Sequence, residues 1–327
     1  MASNRKKMLH LKHFAMLVGY WLALALVLTL GASLAQSQSG GSQGAIVTSN
    51  PAPSPEQIRA LIAKAIENQH RDDLALQEFE RVEHKVIRSG ENADVTIDIS
   101  ERILPTASGN IKLKMMDKGV PVAPEIYRTE LEFAVNAFNQ AMHPNERYKE
   151  DVAKFQRRQR EHYDLVDTSK NAFRVTWAGR ETRVDPAAQH GSRTFLKFLL
   201  DSDPNYKPIN TFASAFQHVH AALWVDEEQL QFARLEGDIV SDIPFVGGFG
   251  GKVYRGGHVV LVQEEVAPDV WLPTLYTYDV DGRKFVFPFG VHERTDIARY
   301  RRIGPPAQAI EIVRNDLNNP STVTPAR

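Results

Sequence analysis

The chain reads as an α+β protein: an antiparallel sheet with one apolar face that helices must cover. Three observations carry that reading. From His218 to Ile303 short apolar runs alternate with polar residues at period two, broken by turn residues. Asp281-Gly282 inside LYTYDVDGRKFVFPF has the composition of a two-residue hairpin turn. Ahead of the first strands, Ser54 opens an amphipathic helix, with Pro55 at its first position and Gln57 completing a capping box.

The hairpin turn would fix a register. It sets Val280 against Arg283, Tyr278 against Phe285, Tyr276 against Phe287 and Thr274 against Phe289. The other face then pairs Asp279 with Lys284 and Thr277 with Val286, so one face is aromatic and the other polar. Upstream, Leu223 and Val225 alternate into an acidic turn at Asp226–Gln229, and Leu230 and Phe232 resume after it. HVVLVQEEV turns at Ala267-Pro268-Asp269 into VWLPTLYTYDV. VHERTDIARYRRI, heavily charged, reads as a closing edge strand whose Arg and Glu discourage further pairing.

Composition bounds the class. The chain has 327 residues, 43% hydrophobic and 24% charged, which is ordinary for a globular protein. The formal net charge of −1 implies no strongly charged partner, and there is no basic-aromatic face for nucleic acid. The absence of cysteine removes disulfides, thiolate metal sites, cysteine catalysis and lipobox lipidation.

Residues 1–35 read as a signal peptide. Arg5, Lys6, Lys7 and Lys12 precede an apolar run from Phe14 to Leu30, and Ser33-Leu34-Ala35 supplies a cleavage site. The alternative is an uncleaved anchor, because that run approaches the lower limit for a membrane span. Either way the remainder is exported, to a periplasmic or other extracytoplasmic space. Losing four basic residues takes the mature chain from −1 to −5. An exported chain of this size without disulfides points to a bacterial envelope.

Residues 36–53 form a Gly-, Ser- and Gln-rich linker. In the helix from Ser54 to about residue 69, Ile58, Leu61, Ile62, Ala65 and Ile66 share one face. Phe79–Ile87 suits either helix or strand and is assigned as strand, and Val95, Ile97, Ile99 and Ile111, Leu113, Met115 mark two more. Residues 123–168 read as a helical insertion broken at His143-Pro144-Asn145. Lys154, Arg157, Arg158 and Arg160 on its second helix read first as a solvated face and second as a contact for anionic membrane lipid. FRVTWAG and TFLKFLL resume the strands. After Ile303, Gly304-Pro305-Pro306 ends the sheet, and a helix near Ala307–Leu317 precedes a polar tail.

Chemistry is hard to find. His218 and His220 would share a strand face, a spacing that can present two imidazoles to a metal, yet no third ligand follows. His292-Glu293 is not a zinc-protease motif. GGFGGK at Gly247–Lys252 lacks the first glycine and the Ser or Thr of a phosphate loop, and reads as a mobile flap. Glu264 and Glu265 are adjacent on a strand and point apart, so they form no dyad. Asp226–Glu228 keep a turn solvated, and neither Ser192 nor Ser241 sits in a nucleophile elbow. No catalytic residue, metal or cofactor is assigned.

The exported leader, the helix before the first strands and the phrase ALWVDEEQLQFARLEGDIV together resemble the periplasmic lipoprotein-carrier superfamily. So does VWLPTLYTY followed by a strand ending in RYRRI. In the family's strand–Asp–turn–strand phrase, Trp224 and Asp226 fall at positions that are largely structural. The resemblance implies one half-barrel domain over 54–303: a strongly curved antiparallel sheet, an incomplete β-barrel, with helices covering its open side and 304–327 as an appended helix and tail. It implies a non-catalytic protein whose cavity takes a lipid or lipoprotein acyl chain. The same fold with a filled interior would serve instead as a structural or interaction scaffold. The apolar side chains expected to line the cavity are Leu223, Val225, Leu230, Phe232, Tyr276, Tyr278, Phe285, Phe287 and Phe289.

Overall fold

A computed structural model describes residues 52–90, 93–169, 171–185, 191–210, 213–245, 251–285 and 287–319. The expected leader, most of the linker, the glycine-rich flap up to Gly250 and the C-terminal tail lie outside the described residues; the flap's last two residues, Gly251 and Lys252, are strand rather than loop.

Helix α1 (Pro55–Ala75) begins as its sequence dictates: Ser54 Oγ accepts from the Gln57 amide, and Gln57 reaches back to the Ser54 amide at 2.7 Å. It runs about two turns beyond the expected end. A short 3-10 turn, Leu76–Glu78, leads into β1 (Phe79–Ser89), β2 (Asp94–Thr106), β3 (Gly109–Asp117) and β4 (Val120–Pro121). The insertion is two helices, α2 (Pro124–Met142) and α3 (Glu146–Ser169). There follow β5 (Phe173–Val184), β6 (Ser192–Ser202), β7 (Val219–Asp226) and β8 (Phe232–Ile239). The short β9 (Ile243–Phe245) and β10 (Gly251–Val253) precede the long β11 (His258–Ala267), β12 (Val270–Lys284) and β13 (Phe287–Arg302). Helix α4 (Pro306–Asn318) ends the described chain.

All thirteen strands join one antiparallel sheet, ordered β4-β3-β2-β1-β13-β12-β11-β8-β7-β6-β5, with β9 and β10 attached beside β12. No pairing joins β4 to β5 among the described residues, so the sheet is open. Side chains from β2 at one side to β5 at the other enter a single apolar cluster with α1. Nine strands laid flat would span about 40 Å, against about 10 Å for a helix. The sheet therefore curls around α1. This is the α+β incomplete barrel that the sequence predicts.

The helices divide between the two faces. Ile58, Ile62, Ala65 and Ile66 of α1 bury against the inner face. Tyr127, Leu131, Ala134 and Phe138 of α2 join Ala309, Ile310 and Val313 of α4 over Leu104, Leu113 and Met115. Ile87 and Val82 differ by an odd number along β1 and belong to different clusters, so this second core lies on the outer face of the β1–β3 wing. The insertion covers a different surface from α1.

Two strand assignments need correction. The Asp281-Gly282 turn does not form: both residues lie within β12, where Asp281 opposes Gly290 and Gly282 opposes Phe289. The turn comes four residues later, at Phe285, with Lys284 opposite Phe287. Val280 therefore opposes Val291, Tyr278 opposes Glu293 and Tyr276 opposes Thr295. The physical reason is extra pairing. The longer strand lets Gly282 meet Val253 and Arg283 meet Lys252 of β10, backbone bonds that a turn at 281–282 would forgo.

The second correction concerns β13, which is not an edge strand but lies between β1 and β12. Its charges answer those of β1 and of the 3-10 turn before it. Lys85 pairs with Glu293 at 3.3 Å, Arg302 donates to Glu78 at 2.8 Å, and Arg301 donates to Glu80. A charged strand needs only a partner of complementary charge to sit inside a sheet.

Candidate functional site

The candidate site is the inner face beneath α1. Period-two alternation delivers Leu223 and Val225 from β7, Phe232 from β8, and Tyr276 and Tyr278 from β12 to the same face, all buried. Leu230 and Phe289 are partly buried and pack against this cluster. Phe198 and Leu200 of β6 add to it, and Phe216, edge-on to Phe173 with centroids 5.8 Å apart, closes one side. Phe285 and Phe287 do not reach it. They flank the β12–β13 turn and are 52% and 66% exposed, because the shifted turn carries them past the end of the core. Of the nine expected lining residues, seven converge and two stand at the tip.

The extra turns of α1 are polar. Asn68 Nδ2 donates to the carbonyls of Gln229 and Leu230, both at 3.0 Å. Gln69 accepts from Gln263 at 2.7 Å and donates to Asp73 at 2.9 Å. Tyr163 of α3 also donates to Asp73. Asp72 is 1% exposed, and neither carboxylate oxygen has a hydrogen-bond partner of good geometry. Burial pushes its carboxyl up to about 7, against the pull of Arg71 and of the Trp271 backbone amide. Burial likewise raises Asp73 to about 6, opposed by Gln69. Sequence reasoning missed this end of the helix, since Asn, Gln and Asp at 68–73 look like a solvated terminus.

The outer face opposite the site carries a different surface. Trp224, Phe195, Ala233 and Trp271 form a separate cluster. Lys197 lies 4.5 Å above the Trp224 ring and Arg193 4.9 Å above that of Trp271. A groove of about 650 Å³ runs over it, lined by Arg183, Arg193, Arg234, Glu264, Glu265 and Val266 among others. Its guanidinium groups are already paired: Arg183 with Glu181, Arg193 with Asp185 and Glu265, and Arg234 with Glu236. The ladder braces the sheet and leaves no unpaired guanidinium for an anion.

Asp226 is not solvated, as its acidic neighbours imply, but 2% exposed. Its Oδ1 accepts from the amides of Glu228 and Gln229, at 3.1 and 2.7 Å, and closes the β7–β8 turn. Burial raises its carboxyl, while the Gln229 amide and Arg193 oppose the rise. The two histidines of HVH do not converge. His218 ends a 3-10 turn and contacts Ser241 at 2.8 Å, whereas His220 contacts Asp201 at 2.6 Å. No group of three metal-ligating side chains occurs among the described residues.

No protein-family model and no curated protein matches the chain. Similar solved structures include a LolA superfamily protein from Nitrosomonas europaea, 10% identical over 77% of this chain and 96% of that one, with a TM-score of 0.25. They also include a DUF1329 family protein from Desulfovibrio piger, 10% identical over 74% and 92%, with a TM-score of 0.25. The strand order of this chain, and not these alignments, defines its fold.

Proposed function

We propose that this chain is a non-catalytic, exported envelope protein that holds a lipid or lipoprotein acyl chain between its sheet and α1. The observation that supports it is the construction of the inner face. A continuous apolar surface, drawn from strands across the sheet, is covered along its middle by one helix docked through Ile58, Ile62, Ala65 and Ile66. Side chains of that kind leave a surface of the right chemistry for an acyl chain when the helix moves aside. Membrane lipid or a lipoprotein would be the source of that chain. In the closed arrangement α1 occupies the space.

A second reading, a scaffold with a permanently filled core, is favoured by the complete burial of Leu223 and Tyr278. Binding separates the two. As a carrier, the wild-type protein takes up a fluorescent fatty acid at one-to-one stoichiometry by native mass spectrometry. Ile62→Ala then loosens α1, costs about 2–5 kcal/mol of stability in urea melts and raises uptake. As a scaffold, neither form binds the probe. Leu223→Trp overpacks the closed interior and costs about 1–3 kcal/mol.

Export has its own readout. N-terminal sequencing of the protein from the envelope fraction should begin at Gln36. An intact Met1 in a carbonate-resistant pellet would instead make residues 14–30 an anchor.

A further inference from the structure

We propose that the Asp72–Asp73 end of α1 is a proton-operated latch: protonated carboxyls let the helix stay docked against the Trp271 backbone and Tyr163, and their ionisation releases it. The inference rests on reading α1 as a movable cover.

Three features of the geometry point to it, and the surroundings of Asp73 oppose it in part. Asp72 is buried with neither oxygen in a hydrogen bond of good geometry, which a neutral carboxyl tolerates far better than a carboxylate. The charges around it do not offset burial. Arg71 is on the same helix, with its Nε 3.9 Å from Asp72 Oδ1, but it also donates to the Asp269 carbonyl and is largely exposed. The carboxyls of Asp73 and Asp269 both oppose ionisation of Asp72. Around Asp73, His70 favours ionisation, and Gln69 and Tyr163 donate hydrogen bonds to it. Finally, a point of bending lies at hand: the 3-10 turn Leu76–Glu78 follows directly, and Leu74 beside it is 64% exposed.

The apolar half of α1 and its polar end thus do different work. Ile58 to Ile66 hold the helix by burial at any pH. Asn68 and Gln69 bond to Gln229, Leu230 and Gln263 whatever the protonation state. Asp72 and Asp73 are the two acids of this end whose charge burial opposes. A carboxyl raised in the docked state binds more protons there than when exposed, so docking is strongest in acid and weakens as pH rises through the docked value.

Hydrogen exchange of the α1 amides, corrected for the intrinsic pH dependence of exchange, tests this on the wild-type chain without any ligand. Between about pH 5 and about pH 8 the opening equilibrium of α1 should rise at least about tenfold, while β7 and α4 stay protected. Asp72→Asn should remove most of that rise and protect α1 at the higher pH, and Asp73→Asn should remove a smaller part. Equal protection at both pH values in the wild type overturns the latch, as does an undiminished rise in Asp72→Asn. Exchange that speeds up equally in β7 and α4 reports global unfolding and overturns it too. The readout involves no lipid, so a working latch with no probe uptake would sink the carrier reading alone, and probe uptake with a pH-independent α1 would sink the latch alone.

Discussion

Arg102→Leu should cost about 3–5 kcal/mol, because it would leave two buried acids without their cation. Arg102 is 3% exposed and lies between two buried acids. Its Nε donates to Glu80 at 2.8 Å, and its guanidinium meets Asp316 of α4 at 2.7 Å. Arg301 of β13 touches both acids from the solvent side. One cation thus ties β1 and β2 to α4, with Tyr127 of α2 close by. Leucine would leave Glu80 and Asp316 buried with only the half-exposed Arg301 to answer them, and an unpaired buried charge is far costlier than a lost surface pair. Arg301→Ala, whose side chain is 49% exposed, should cost under about 1 kcal/mol. Urea midpoints read at constant m-value give both numbers. The leucine variant should also regain stability on acidification, as the orphaned carboxylates take up protons. Equal midpoints for the two variants would show that Arg102 does not hold the α4 interface together.

The sequence made the strands legible because period-two alternation survives an error in register. Moving the turn by four residues, from Asp281-Gly282 to Phe285, keeps even-numbered residues of β12 and odd-numbered residues of β13 on one face. Tyr276, Tyr278 and Phe289 therefore still point inward with entirely different partners. Only residues near the turn changed environment, which is why Phe285 and Phe287 were misplaced. Charge misled more than hydrophobicity did. The Arg and Glu residues of β13 look like protection of an edge until β1 is set beside them, and no local pattern announces which strand that will be. Nor could the sequence show that Asn68, Gln69 and Asp72 are buried. A polar helix end becomes interior only when the β7–β8 turn and α3 close over it.

Gly282 separates the two registers by experiment. In the structure it is extended backbone inside β12, and a Cβ there would lie 2.3 Å from the Lys252 carbonyl oxygen and 2.7 Å from the Phe289 ring. The first neighbour is the backbone of β10, which cannot swing away as a side chain can. Gly282→Asn should therefore push β10 off β12 and cost about 1–3 kcal/mol through overpacking. In a two-residue turn at 281–282 the same change would be nearly neutral, because asparagine tolerates positive φ there. Phe285 gives the converse. Its φ is +55°, a conformation that strains any residue with a Cβ, and its ring is largely exposed. Phe285→Gly should leave stability unchanged or raise it by up to about 1 kcal/mol, whereas the earlier register would make it lose a cross-strand aromatic partner. Thermal melts of the two variants thus carry opposite expectations. A neutral Gly282→Asn together with a destabilised Phe285→Gly would return the turn to Asp281-Gly282 and bring Phe285 and Phe287 back to the aromatic face.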